Sequence, residues 1–248
     1  MTISAVVFDA YGTLYDVQSV ATATREVYPD HADLITQAWR LKQLEYTWLR
    51  TAMQAYRPFS QVCDESLAYT LDAIGLPVDE TRRAHIMDTY LHLEPYAETL
   101  AALDALEGVP RAILSNGDPD MLERLVRNTG LDSRLEAIMS VEAKRVFKPD
   151  PRAYDLVQEV LGIAPASVLF VSSNSFDASA ARHYGFQVAW VERVTAEQLR
   201  AELDENPSPG PQTLFRLLRM RQEHLGIQVD HRLSALTELE GIVSDSGA

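Results

Sequence analysis

Apolar and polar positions follow two different rhythms along the chain, and the change between them is the first structural signal. Residues 4–8, Ser-Ala-Val-Val-Phe, form a short β-branched run that ends at Asp9 and meets a turn, Tyr11-Gly12-Thr13. Such a run predicts a buried strand with a charged residue at its carboxyl end. From about 16 to 93 the β-branched runs vanish and the period becomes helical. Across 31–57, Leu34, Ala38, Leu41, Trp48, Ala52 and Ala55 recur at steps of three, four or seven, and Ile35, Trp39, Tyr46, Leu49, Met53 and Tyr56 repeat the pattern one place on. This predicts a long helix with a broad apolar face, ended by Pro58. Two shorter helical stretches follow near 61–75 and 78–91, separated by Gly75-Leu76-Pro77.

After Pro95, strand and helix patterns alternate again. A helix is predicted over 97–106 and a strand from Arg111 to Leu114, running into Ser115-Asn116-Gly117. Asp118-Pro119 then opens a helix, with aspartate as N-cap and proline in the first turn. A weak strand over 137–141 precedes Lys148-Pro149-Asp150-Pro151, which starts a helix in the same style. Ser167–Val171 reads as a buried strand ending in Ser172-Ser173-Asn174; a helix from Asp177 to Gly185 and a strand over 187–191 follow. Repeated strand–helix–strand units with apolar strands predict an α/β fold, a Rossmann-like parallel sheet covered on both faces. The expected organisation is a core of residues 1–15 and 94–248 with an inserted helical cap of 16–93. Within the core, 198–228 reads as an excursion, because the breaker-rich 206–211 leads into a basic helical segment, 213–221.

Composition narrows the function classes. The chain has 248 residues, 46% hydrophobic and 23% charged, which is ordinary for a globular protein. Its one cysteine, Cys63, excludes an intramolecular disulfide and reads as a half-buried helical residue rather than a reactive thiol. The six histidines are scattered, with no zinc-site spacing. The N-terminus has no basic n-region and no stretch reaches 18 apolar residues, so the expectation is a cytoplasmic protein with no membrane partner. A formal net charge of −14 argues against nucleic acid. It also means that an anionic substrate would need positive charge focused locally at its site. The wide apolar face of 31–57 fits a homodimer contact, and fits equally a helix buried in its own domain.

Four polar clusters fall at predicted strand ends or helix starts: Asp9 to Thr13, Ser115-Asn116-Gly117, Lys148, and Ser172 to Asp177. Each alone has an ordinary structural reading as a cap, a turn or a solvated lysine. Together, in chain order on one edge of one sheet, they do not. Val7-Phe8-Asp9-Ala10-Tyr11-Gly12-Thr13-Leu14, Ser115-Asn116-Gly117, Lys148-Pro149 and Ser172-Ser173-Asn174-Ser175-Phe176-Asp177 resemble the four motifs of the haloacid dehalogenase superfamily, over Ile3 to about Arg193. Magnesium-dependent phosphatases of that superfamily carry D-x-D-G-T and G-D-x-x-x-D; this chain has Tyr11 and Ser173 where two of those acids would stand. Halide leaves without a proton and the substrate carries one charge, so neither a general acid nor a hard cation is required. The combination D-A-Y-G-T with S-S-N-x-x-D is similar to the L-2-haloacid dehalogenases, as are Trp39-Arg40 and Lys148-Pro149-Asp150-Pro151-Arg152-Ala153-Tyr154.

The resemblance implies hydrolytic dehalogenation of (S)-2-haloacids with no metal or other cofactor. It implies Asp9 as covalent nucleophile, oriented by Thr13, and Lys148 as the cation that offsets substrate repulsion, placed with help from Tyr154. Ser172 and Asn174 would position Lys148 and the ester, and Asp177 would activate or position water; a plain N-cap is the other reading of Asp177. Ala10, Ser115 and the Tyr11 and Asn116 N–H groups would hold the substrate carboxylate. Arg40, with Asn116, Phe59 and Phe176, would face the departing halide. Two departures touch that pocket: members often carry tryptophan at the position of Phe176 and a polar residue at that of Leu41. The rival readings are a magnesium-dependent phosphatase and a non-enzymatic binding protein.

Overall fold

The protein is described here by a computed structural model covering residues 2–246. Strand β1 (Ala5–Phe8) is followed by the two-residue β2 (Tyr15–Asp16) and then by four helices, α1 (Val20–Val27), α2 (Ala32–Ala52), α3 (Phe59–Ala73) and α4 (Glu80–Asp88). β3 (Glu94–Pro95) pairs antiparallel with β2, so the helical block leaves and rejoins the rest of the chain at one neck. Then come α5 (Thr99–Ala105), β4 (Arg111–Ser115), α6 (Pro119–Asn128), β5 (Ala137–Ser140), α7 (Pro151–Leu161), β6 (Val168–Ser172), α8 (Ser175–Tyr184) and β7 (Gln187–Val191). The chain closes with α9 (Ala196–Glu205), α10 (Pro211–Arg219), β8 (His231–Leu233) and α11 (Leu239–Ser246).

Six strands form one parallel sheet in the order β5-β4-β1-β6-β7-β8. β1 lies inside it, Val7 facing Ala112 of β4 on one side and Phe170 of β6 on the other. β1, β6 and nearly all of β4 are buried throughout, as a parallel sheet covered on both faces requires. Because every strand runs the same way, the residues after β1, β4, β5 and β6 emerge on one edge. Among the described residues no helix is long and apolar enough to cross a membrane.

Three local expectations are corrected. Helix α2 ends at Ala52 rather than at Pro58, and Gln54 follows in a left-handed conformation with φ 56°. The two apolar stripes of that segment do not form one buried face. Ile35 and Trp39 are buried, whereas Leu34, Leu49 and Met53 are 41%, 45% and 64% exposed. The buried face is completed instead by polar residues, Thr36, Gln37, Arg40, Gln43 and Thr47. Asp118 does stand at the N-cap of α6, but its side chain does not cap that helix. Its carboxylate accepts the Phe59 and Ser60 N–H groups, the latter at 2.9 Å, and so caps α3 from across the chain. Pro58, at the N-cap of α3, has no side-chain oxygen for the task.

Asp118→Ala should therefore free the start of α3 and lower stability to urea by about 0.5–2 kcal/mol, the usual range for a lost N-cap. Hydrogen exchange should speed up at the Phe59 and Ser60 amides, and α6 should be unaffected.

Candidate active site

The strand ends that the sequence places on one edge carry a buried charge cluster. Asp9 follows β1 and is 5% exposed; Lys148, on the loop after β5, is 2% exposed; Asp177, in the first turn of α8, is 1% exposed. Lys148 Nζ donates to Asp9 Oδ1 at 2.9 Å and to Asp177 Oδ2 at 2.6 Å. Charges this deep are tolerated only when paired and hydrogen-bonded, and the remaining acceptors are supplied. Asp9 Oδ2 accepts from Thr13 Oγ1 at 3.1 Å and Asn174 Nδ2 at 2.7 Å. Asp177 Oδ1 accepts from the Tyr154 hydroxyl at 2.7 Å, and its Oδ2 also accepts from Ser172 Oγ at 3.2 Å.

These contacts correct the reading of Asp177 as an N-cap. Asn174 occupies the N-cap position of α8, and the Asp177 carboxylate turns inward to Lys148 and Tyr154. Burial is the largest influence on Asp177 and pushes its pKa up to about 6; the Lys148 ammonium opposes it and the nearby Asp9 adds to it. Burial works to lower the Lys148 pKa, but Asp177 and Asp9 outweigh it and hold the ammonium above the ordinary lysine value. Burial also holds the Tyr154 phenol protonated, well above its usual pKa, so it acts as a donor.

The turn after β1 depends on glycine. Gly12 has φ +88°, a conformation that residues with a Cβ rarely adopt, and its carbonyl accepts from Ser173 Oγ at 2.5 Å. Ser173 N–H in turn donates to Thr13 Oγ1 at 2.9 Å. Ser173 is thus consumed in locking two motif loops together. At Gly117 a Cβ would lie 2.7 Å from the Tyr11 hydroxyl, so only glycine lets the β4 loop pass beneath that ring.

Ser115 is fully buried at the end of β4 and accepts from the Gly117 N–H at 3.2 Å. Asn116 is spent on the backbone, its Oδ1 accepting from Lys148 N–H at 2.9 Å. The Tyr11 and Asn116 N–H groups donate to no acceptor among the described residues. Ala10 is buried beside Asp9. The Tyr11 ring stacks on Phe59 at 5.6 Å and meets Tyr90 edge-on at 5.6 Å, joining the sheet edge to the helical block. Phe176 is half-buried and packs on Trp48 of α2 at 5.3 Å.

Arg40 projects from the buried face of α2 and lines a cavity of about 50 Å³ with Gly12, Ser173 and Asn174. Its guanidinium donates to Gln43 Oε1 and, at 3.0 Å, to the Tyr90 hydroxyl, and meets no carboxylate among the described residues. Its neighbour Trp39 points the other way, donating to the Cys63 carbonyl at 2.9 Å. Gln43 and Tyr90 were not expected from the sequence. Gln43 stands three residues from Arg40, so helical spacing offered a signal; Tyr90 lies 50 residues away and offered none. Arg193 was also unforeseen: it stacks 3.7 Å from the Tyr96 ring centre, pairs with Glu98 and donates to the Thr13 carbonyl at 2.8 Å.

Known proteins resemble this chain along most of its length. Residues 3–185 match the model of the haloacid dehalogenase-like hydrolase family. An (S)-2-haloacid dehalogenase of Xanthobacter autotrophicus is 52% identical over 97% of this chain and 95% of its own length. The structure of the L-2-haloacid dehalogenase of that organism with chloropropionic acid covalently bound superposes with a TM-score of 0.94, at 51% identity, covering 98% of this chain and 99% of that one. Haloacetate dehalogenase H-2 of Moraxella sp. (strain B) is 43% identical over 77% of this chain and 86% of its own length.

The hydrogen bond from Tyr154 stabilises the Asp177 anion, so Tyr154→Phe should move the Asp177 titration to higher pH. Difference infrared spectroscopy of the protonated carboxyl band against pH would measure it; an unchanged midpoint would mean that the phenol does not tune this acid.

Proposed function

The chain belongs to the haloacid dehalogenase-like hydrolases, and we propose that it hydrolyses (S)-2-haloacids to (R)-2-hydroxyacids and halide through an ester on Asp9, with inversion at C2. The observation that carries this reading is the Lys148 ammonium bonded to both Asp9 and Asp177, at 2.9 and 2.6 Å. The ammonium holds the two carboxylates together and offsets the charge of an incoming carboxylate.

In the first step an Asp9 carboxylate oxygen attacks C2 from the face opposite the halogen. The carbon–halogen bond breaks and halide departs with the electron pair. Thr13 and Asn174 hold the carboxylate in one orientation, which supplies the alignment that displacement needs. Ser115, beside Ala10, and the Tyr11 and Asn116 N–H groups take the substrate carboxylate. Arg40, in a halide pocket that Phe59, Phe176 and Asn116 would complete, meets the charge that develops on the halide, a contact stronger in the transition state than before it. In the second step water attacks the ester carbonyl carbon, giving its proton to Asp177. The bond from that carbon to the hydroxyacid oxygen breaks and the leaving oxygen takes the proton. Asp9 is left as a carboxylic acid, loses its remaining proton to solvent and is so regenerated as the carboxylate; C2 is not touched again. Ser172 and Tyr154 hold Asp177 for this role.

Residues 16–93 act as a cap over a core of 1–15 and 94–248, a reading that the β2–β3 neck supports. Acceptance of haloacetates is supported by the Moraxella relative. A homodimer fits the exposed Leu34 and Leu49 of α2, Met53 just after it, and Leu214, Leu217 and Leu218 of α10, which packs on α2. A cytoplasmic address belongs to the same proposal. The phosphatase reading finds no support, since Ser173 is committed to the Gly12 carbonyl and Tyr11 is buried against Phe59.

Single-turnover hydrolysis of (S)-2-chloropropionate in ¹⁸O-water, with enzyme in excess, should place label in the Asp9 carboxylate. Label found only in the product would overturn the ester route. EDTA should leave halide release unchanged, and Asp9→Asn should abolish turnover by at least about a thousandfold while the circular dichroism spectrum persists. Asp177 must be ionised to accept a proton, and its pKa of about 6 is raised partly by the Asp9 charge, which the ester removes; the rate of ester hydrolysis should therefore fall in acid with a midpoint below 6. The fall should approach about tenfold per pH unit.

A further inference from the structure

The net charge of −14 leaves open how an anionic substrate is drawn to this site and how halide leaves it. The cavity beside Asn174 and Arg40 is closed by a segment outside all four motifs. Phe215 and Arg219 of α10 line it together with Gly12, Ser173, Asn174 and Arg40. The Arg219 guanidinium lies 4.9 Å from the ring centre of Trp48, the tryptophan of α2 against which Phe176 packs. Arg219 is half-buried, and its Nε is buried with no hydrogen-bond partner among the described residues, as is the Nε of Arg40.

Its neighbours make the contrast plain. Arg216, three residues earlier on α10, is paired with Glu202, and Arg193 with Glu98. Arg219 makes no ion pair among the described residues. The acid that shares the cavity, Asp16, is engaged by the Gln18 N–H at 2.8 Å. A guanidinium held by stacking, short of acceptors and set on the wall of a cavity that Arg40 also lines is suited to bind a small anion.

Given the dehalogenase reading above, we infer that Arg219 is a second anion-binding residue of the active-site chamber, working alongside Arg40. The ligand it takes is a small monovalent anion, either the carboxylate of the haloacid or the released halide. The excursion thus contributes a specificity-determining side chain from α10, and its Phe215 shields that charge from solvent.

Equilibrium titrations of the wild type, Arg219→Ala and Arg219→Lys with sodium bromide and with (R)-2-hydroxypropionate, at constant ionic strength, test this. Trp48 offers a fluorescence signal and calorimetry an independent one. The alanine variant should bind at least one of the two anions about tenfold more weakly, and the lysine variant should recover part of the loss. Weakened bromide binding identifies halide as the ligand; weakened hydroxyacid binding, with a KM for (S)-2-chloropropionate raised by about tenfold and kcat little changed, identifies the carboxylate. Unchanged affinities in the alanine variant would overturn the inference. So would a lysine variant no better than alanine with a lowered Tm, which would mark Arg219 as a packing residue. Failure of the dehalogenase reading would appear separately, as a wild type that releases no halide, and the anion titrations do not depend on it.

Discussion

One buried ammonium between two buried carboxylates is the constraint around which this edge of the sheet is organised. Lys148 offsets the charges of Asp9 and Asp177 in a place almost without water. At an effective dielectric of about 20, unit charges ~4 Å apart attract by roughly 4 kcal/mol, and breaking such a buried pair typically costs about 3–5 kcal/mol because a charge is left stranded. That penalty explains the density of hydrogen bonds around the cluster. Thr13, Asn174, Ser172 and Tyr154 fill the acceptor positions that the ammonium leaves open. The parallel sheet makes the arrangement possible, since β1, β5 and β6 all end on the side where their loops can converge.

The second constraint is the joint between the sheet edge and the helical block. It is built from aromatic faces, with Tyr11, Phe59 and Tyr90 in mutual contact. It is also built from one capping interaction, the Asp118 carboxylate on the first amides of α3. Arg40 depends on this joint twice. Its helix is held over the site by it, and its guanidinium is oriented by the Tyr90 hydroxyl. Positive charge thus reaches an acidic protein's site from helices on either side of the chain, Arg40 from α2 and Arg219 from α10.

Much of this was legible in the order of residues. The β-branched runs marked β1, β4, β6 and β7 to within a residue or so, and the loss of that texture marked the helical block between β2 and β3. The four polar clusters announced one edge because a parallel alternation leaves strand ends nowhere else to go. Where local rules misled, a distant partner had won. Asp118 carries the signature of a cap for the helix it precedes and caps another one. Asp177 lies where a helix start would favour an acid, yet the lysine after β5 turns it inward. Leu34, Leu49 and Met53 match a helical apolar period, yet they lie outside the part of α2 that its neighbours cover.

The sequence by itself therefore determined the alternation of strand and helix, the edge on which chemistry-bearing residues gather and the chemical types present there, since periodicity and turn formation act over a few residues. Only the tertiary structure decided which carboxylate Lys148 and Asn174 serve, which face of α2 is buried, that Tyr90 holds Arg40, and that α10 brings Arg219 to the same cavity. Those outcomes depend on contacts between segments tens to more than a hundred residues apart, and no local pattern encodes the direction in which a side chain will find its partner.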